Sequence, residues 1–229
     1  MRAKRRQSDE GDDRAAALRL LDTYAGLARR GAHLLDALLL GQAPKQWAHY
    51  PEDDAVDRAG GFQWFYHSHA PENRRGATEH GHIHLFARRK RWSRRLGSKR
   101  EAAFARLPGG TEGPVDTRHL LAMGLDAKGL PVSLFTVNSW VTGDLMLSAE
   151  TTASLLEEMA LDTGYGEVDA VIGAVMWLYR AEIRDLLERR DRALRDFDGA
   201  NVLSNESLEV LSALAIDVDA RLQAMEGSD

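Results

Sequence analysis

The chain has 229 residues, a formal net charge of −5 at pH 7 and no cysteine. Without cysteine it cannot form disulfides, thiolate-ligated zinc or iron–sulfur sites, or a thiol nucleophile, so a bound metal must be held by imidazole, carboxylate, carbonyl oxygen or water. The slightly acidic balance gives the whole molecule no strong attraction to nucleic acid or anionic lipid, and the length suits one globular domain with a small appendage.

The first segment is a run of bases followed by a run of acids, and it predicts a disordered tail over residues 1–13. No apolar segment follows the bases directly, so this tail is not typical of a signal peptide. The next apolar stretch, residues 18–40, carries too many charges for a transmembrane helix and has helical spacing from about Arg14. We therefore expect an N-terminal helix in a cytoplasmic protein without a membrane span.

The middle of the chain changes from helical spacing to the alternation that is typical of strands. Four strands are predicted, over residues 62–69, 80–87, 118–125 and 131–138. Gly129 lies in the short turn between the last two strands, which we expect to pair as a hairpin. Because sequential strands usually neighbour each other, the sequence predicts an antiparallel meander of about four strands.

The last third of the chain returns to helical spacing and predicts a C-terminal helical segment, including a final helix that begins near Ser204. Helices at both ends of an antiparallel sheet give an α+β fold, here a single domain over residues 14–225. The connection 88–116 is rich in arginine and lysine and contains Trp92. We interpret it as a basic, mobile loop rather than a nucleic-acid site, since no DNA-reading module is recognisable.

Five of the eight histidines lie within eighteen residues. Side chains two residues apart share one face of a strand. His67 and His69 therefore share one face of the first predicted strand. The corresponding set on the next strand is His80, His82 and His84. If the two strands pair, opposed histidines have Cβ atoms about 5 Å apart, which allows two imidazoles to bind one metal at about 2.1 Å.

This pattern predicts a metal site, because several clustered imidazoles without a cation would need separate hydrogen-bond partners and would repel one another when protonated. An all-histidine ligand set suits zinc or iron best, with copper or manganese as alternatives. Glu79 lies at the loop edge before the second strand, where it could be a carboxylate ligand or the general base of a catalytic site. Either His49 or His119 could also complete the site, while His33 lies within the helical pattern and is interpreted as structural.

Three motifs resemble those of an uncharacterised family of bacterial proteins that contain a domain of unknown function. They are Trp47-x-His49-Tyr50-Pro51, Tyr66-His67-x-His69 and Glu79-His80-Gly81-His82-x-His84-Leu85-Phe86. The resemblance extends over roughly residues 45–195. It implies one domain with the histidine motif at its centre, and it implies no particular activity.

Residues 80–86 are also similar to the histidine-triad signature of nucleotide hydrolases and transferases. That resemblance implies that His82 attacks a phosphate as a nucleophile and that the outer two histidines orient it. Gly81 departs from the apolar residue of the signature, and more than half of the chain follows the motif here. His67 and His69 would also have no role in such an enzyme.

The sequence thus predicts a metal-dependent enzyme with a small-molecule substrate of unknown identity. Its candidate ligands are His67, His69, His80, His82 and His84, and its candidate catalytic residue is Glu79. Two alternatives stay open, namely a histidine-triad-like enzyme and a metal- or heme-binding module without catalysis. An open coordination position that faces a pocket would indicate catalysis, and a closed four-ligand site would indicate structure or storage.

Overall fold

The computed structural model describes residues 2–68, 79–105, 107, 109 and 116–227. At its centre is one antiparallel sheet, in which each strand is hydrogen-bonded to its neighbours in sequence order. The strands are β1 (Tyr50–Asp57), β2 (Phe62–Ser68), β3 (Gly81–Arg88), β4 (Thr117–Leu125), β5 (Pro131–Val137) and β6 (Val210–Ala215). The helices of the described residues are α1 (Arg2–Arg29), α2 (Asp36–Leu39), α3 (Arg89–Trp92), α4 (Lys99–Phe104), α5 (Ser139–Thr142), α6 (Ala149–Glu157), α7 (Gly166–Leu178), α8 (Arg180–Asp196) and α9 (Val218–Glu226).

The mixed helix-and-sheet class and the antiparallel meander are confirmed, but the sheet has six strands and the predicted number of about four is wrong. β1 escapes prediction because Pro51 and the acids that follow it are poor strand formers, and a bulge between Tyr50 and Ala55 interrupts its pairing with β2. β6 lies inside the stretch predicted as a final helix. Its short apolar run fits both the helical and the strand period, and pairing with β5 makes it a strand.

Helices cover one face of the sheet. The strand side chains that point to this face include Trp64, Tyr66, Ile83 and Leu85, which are completely buried in one hydrophobic core with α1, α6, α7 and α8. These four residues alternate with the histidines of β2 and β3, so strand geometry sends the two sets to opposite faces. Burial of each large apolar side chain stabilises the fold by about 1.5–3 kcal/mol.

The first helix begins earlier than its apolar pattern suggests. α1 starts at Arg2 and so includes the stretch up to residue 13 for which the charge runs predict a disordered tail. Asp13 accepts hydrogen bonds from Trp177 Nε1 at 2.8 Å and from Arg180 at 2.6 Å, which connects this turn to α7 and α8. No helix of the described residues, α1 included, combines the length and apolarity that a membrane span requires.

The basic connection after β3 contains more secondary structure than the predicted loop. It forms α3, a 3-10 turn at Ser93–Arg95 and α4. Arg91 and Arg95 pair with Glu158 at 3.1 and 2.7 Å, so both side chains face a carboxylate of the protein itself. The guanidinium of Arg118 lies 3.9 Å from the Trp92 ring centroid. Most of residues 106–115 lie outside the described residues, and the mobility of the connection stays a prediction.

Candidate metal centre

Three histidine side chains meet on the face of the sheet opposite the hydrophobic core. β2 and β3 pair so that His67 lies directly opposite His82, and His84 follows on the same face of β3. His67 Nε2 lies 2.7 Å from His82 Nε2, which lies 3.0 Å from His84 Nε2. All three residues are buried. The predicted pairing of the two histidine strands is therefore confirmed for these three residues. We call His67, His82 and His84 the histidine triad, a set that differs from the histidine-triad signature of residues 80–86.

The nitrogens of the histidine triad are close enough to bind one metal ion. One nitrogen from each residue lies within 4.8 Å of the other two. A tetrahedral metal with bonds of about 2.0–2.1 Å separates its ligand nitrogens by about 3.3 Å, so small rotations of the rings suffice. His82 Nε2 has two imidazole nitrogens as neighbours but only one in-plane lone pair, so hydrogen bonding alone satisfies this arrangement poorly. A shared cation accommodates one lone pair from each ring.

Glu79 contacts His82 at Nδ1, the ring nitrogen that does not face the other two histidines. His82 Nδ1 lies 3.3 Å from Glu79 Oε1, and Glu79 Oε2 accepts a hydrogen bond of 2.8 Å from Ser133 Oγ. The carboxylate passes over Gly124, where a Cβ atom would come within 2.1 Å of Glu79 Oε2. A carboxylate at Nδ1 keeps that nitrogen protonated and leaves Nε2 as the ligand atom, an arrangement common among metal-binding histidines.

His84 has a corresponding partner in His119. His84 Nδ1 lies 2.9 Å from His119 Nε2. Burial, with a smaller contribution from the charge of Arg190, lowers the pKa of His119 to about 3. His119 is therefore a neutral imidazole at neutral pH, and its Nε2 can accept a hydrogen bond from His84 Nδ1. This hydrogen bond leaves His84 Nε2 unprotonated and directed at the other two histidines.

Two predicted ligands are not part of the histidine triad. His80 precedes β3, which begins at Gly81, so the alternation of the strand does not extend to it. Its ring Nδ1 lies 2.9 Å from the hydroxyl of Tyr66, a core-face residue. His69 lies outside the described residues. Glu79, predicted as a ligand or general base, is brought to the site but stands behind His82 rather than beside the converging Nε2 atoms.

The histidine triad opens into a cavity of about 480 Å³. This volume lies in the range of about 300–1,000 Å³ that is typical of small-molecule sites. Aromatic residues in its lining are Trp47, Phe65, Phe86, Phe135 and Trp140. The carboxylates are Asp54, Asp144 and Glu209, and the described lining contains no lysine or arginine. Three carboxylates without a lysine or arginine in the described lining favour a cation over a phosphate in this cavity.

A family model described as a domain of unknown function, DUF6969, matches residues 14–216. The chain belongs to this family. The match confirms the resemblance to a family with a domain of unknown function and extends beyond both ends of the predicted range of 45–195. No curated protein and no solved structure matches the chain. The family description names no activity, so the chemistry of this chain rests on the geometry of its own histidine triad.

The DUF6969 region also brings His49 and His119 to the same face of the sheet. A bulge in β4 opposite Leu85 and Phe86 shifts the alternation of that strand, which places His119 behind His84. The sequence names His119 as a residue that could complete the site, but it does not predict the contact with His84, because the bulge leaves no distinctive residue. His49 lines the cavity and stacks on Phe65, with ring centroids 3.6 Å apart. The motif Trp47-x-His49-Tyr50-Pro51 is the only sequence feature that pointed to His49 as a residue of the site.

Proposed function

We propose that the protein is a metal-dependent enzyme that acts on a small molecule, with His67, His82 and His84 as metal ligands. The observation that carries the proposal is the convergence of three buried Nε2 atoms on a cavity of small-molecule size. Zinc or iron suits an imidazole set best, with copper or manganese as alternatives. The cysteine-free sequence is compatible with the cytoplasmic location that we propose for it.

A three-histidine set leaves one coordination position for water or substrate on the cavity side. A metal held by these three histidines would supply Lewis-acid chemistry there, because it would polarise a bound oxygen and lower the pKa of bound water. The sequence also predicts His69 as a ligand, and a fourth histidine ligand would fill this position. A closed site with four histidines would instead make the protein a metal-binding module without catalysis.

Within this proposal, Glu79 and His119 orient the ligands instead of reacting with substrate. Each lies behind one ligand, on Nδ1 of His82 and of His84 respectively. Outer partners of this kind fix the tautomer and the direction of a metal-binding imidazole. Both oxygens of Glu79 face groups of the protein, which argues against its use as a general base.

The nucleophile alternative has less support. His82 Nε2, the atom that would attack a phosphate, has imidazole nitrogens at 2.7 and 3.0 Å. The carboxylates in the described lining of the cavity would also repel a phosphoryl group. Phosphohydrolase activity that survives chelation but is lost in His82→Ala would nevertheless select this alternative.

Calorimetric titration of zinc into metal-free protein tests the proposal. Wild type should bind about one ion per chain, and His82→Ala should lose this binding because two histidines rarely hold zinc alone. His33→Ala is the matched control, since His33 is exposed and lies outside the cavity. Wild type that takes up no zinc, or His82→Ala that binds it as tightly as wild type, would refute the ligand assignment.

A further inference from the structure

A fourth histidine is held in a fixed orientation at the wall of the cavity. The His49 ring lies flat on the Phe65 ring, with centroids 3.6 Å apart and planes 7° apart. His49 Nδ1 lies 2.8 Å from Asp54 Oδ1. An ionised carboxylate can only accept, so Nδ1 is the donor in this hydrogen bond. Nε2, on the other side of the ring, is the atom that can contact a bound molecule.

Asp54 is held in place by two features of β1 and β2. Gln63 Nε2 donates a hydrogen bond of 2.7 Å to Asp54 Oδ2. The backbone of Asp54 has a φ of 54°, in the left-handed region that non-glycine residues seldom adopt. Such conformations concentrate at functional sites, where the surrounding structure maintains them. The Asp54 side chain is 17% exposed and that of His49 is 42% exposed, so the acid lies in the wall and the imidazole reaches the cavity.

His49 lies beside the histidine triad and not within it. Its ring centroid is 6.4 Å from that of His67, in an edge-on arrangement, and both residues line the same cavity. The set of converging nitrogens in the described residues does not include His49. A metal–ligand bond of about 2 Å followed by a hydrogen bond of about 3 Å spans a gap of this size. His49 is therefore placed to contact a molecule bound to the metal.

We infer that His49, oriented by Asp54, hydrogen-bonds through Nε2 to the small polar molecule at the open metal position, an inference that rests on the proposed metal site. The ligand class is a molecule whose oxygen binds the metal and which offers a hydrogen-bond donor next to it, as an amide or a hydroxamate does through its N–H, because Nε2 of an imidazole protonated at Nδ1 is an acceptor. His49 is then a substrate-binding residue. Asp54 is a positioning residue that acts through His49.

The test uses the full chain loaded with Co²⁺, whose visible spectrum reports the coordination sphere, and acetohydroxamate as the probe. His49→Phe keeps a flat ring on Phe65 but removes both nitrogens. We expect the Co²⁺ affinity and the ligand-free spectrum to be unchanged. The dissociation constant of acetohydroxamate should rise about tenfold or more, as for loss of one hydrogen bond to a charged ligand. His33→Phe, an exposed histidine outside the cavity, should change neither quantity.

Asp54→Ala provides a second variant that leaves the His49 ring in place. It should weaken acetohydroxamate binding less than His49→Phe does, because the stacked ring loses only its orienting partner. Equal acetohydroxamate affinity in wild type and His49→Phe would overturn the inference. Loss of Co²⁺ from His49→Phe would also overturn it, because His49 would then be a metal ligand.

The remaining outcomes separate this inference from the metal proposal. Wild type that binds Co²⁺ but does not respond to acetohydroxamate has no open position, which overturns the role of His49 and leaves the metal site standing. Wild type that binds no Co²⁺ under any condition overturns the metal site and the inference together.

Discussion

The two faces of β2 and β3 are built from alternate residues of the same strands, yet they differ in almost every physical respect. The core face carries Trp64 and Ile83, which bury apolar surface against helices. The opposite face carries His67 and His82, whose buried nitrogens must be hydrogen-bonded or coordinated. Strand alternation thus separates the residues that stabilise the sheet from those that carry its chemistry, so each set can be altered on its own.

Truncation of the core face should have the largest effect on stability. Trp64 is completely buried, and its Nε1 donates a hydrogen bond of 2.9 Å to Asp169. Trp64→Ala should lower the free energy of unfolding by about 3–5 kcal/mol, because it creates a cavity and leaves Asp169 without this donor. Urea denaturation of the metal-free protein measures the loss. A loss of less than about 1 kcal/mol would mean that this face does not form the core described above.

Metal should stabilise the protein only through the histidine face. Zinc at a hundred times its dissociation constant should raise the free energy of unfolding by about 2.7 kcal/mol, since it binds the folded chain alone. His82→Ala should abolish this increment. Urea denaturation with and without zinc provides the measurement, with His33→Ala as the control. An equal increment in His82→Ala would place the zinc elsewhere on the molecule.

The orienting partners of the histidine triad should have a smaller effect. Glu79→Gln keeps the shape of the side chain but removes the charge that favours a protonated His82 Nδ1. We expect zinc affinity to fall by about 10- to 100-fold, as for other outer partners of metal-binding histidines. Competition with a chromophoric chelator measures the affinity. Glu52→Gln, at an exposed carboxylate of β1, is the matched control, and an equal fall in both variants would remove Glu79 from the site.

The smallest expected effect is the response of the helix-covered side to alkaline pH. Burial, with a smaller contribution from Asp126, raises the pKa of Tyr24 above its ordinary value of 10, and its hydroxyl donates to the Gly129 carbonyl. The Tyr24 hydroxyl ionises near pH 10 in the unfolded chain but only at higher pH in the folded chain. Its contribution to the free energy of unfolding is therefore complete below pH 10 and is lost as the pH rises further. Tyr24 should lower the free energy of unfolding by at most about 1.4 kcal/mol for each pH unit above 10, and Tyr24→Phe should lack this contribution.

Urea denaturation at pH 9 and pH 11 compares wild type with Tyr24→Phe. The two proteins should lose different amounts of stability between these pH values, with the larger loss in wild type. Parallel losses would show that Tyr24 is not shielded from ionisation on this side of the sheet.

The histidine face also shows which features of the site can be predicted from the sequence and which cannot. The alternation of β2 and β3 is a local property, and it correctly predicts that His82 and His84 share one face of β3, where His67 of β2 lies beside them. His80 differs because the strand begins one residue later, at Gly81. A strand boundary depends on pairing with neighbours, and the residues themselves do not fix it.

Contacts between distant segments escape prediction for a related reason. His119 reaches His84 through a bulge in β4, and Glu79 reaches Ser133 across Gly124. Each contact depends on the register of several strands at once, so no local spacing encodes it. β6 shows the same limit, since its short apolar run becomes a strand only by pairing with β5.

Metal content of the purified protein tests the metal site most directly. The full chain, produced without an affinity tag in medium that supplies zinc, iron, copper and manganese, is assayed by elemental mass spectrometry beside His82→Ala/His84→Ala. Wild type should contain about one transition-metal ion per chain, and the double variant should contain almost none. A wild type free of metal under these conditions would contradict the assignment of the histidine triad as a metal centre.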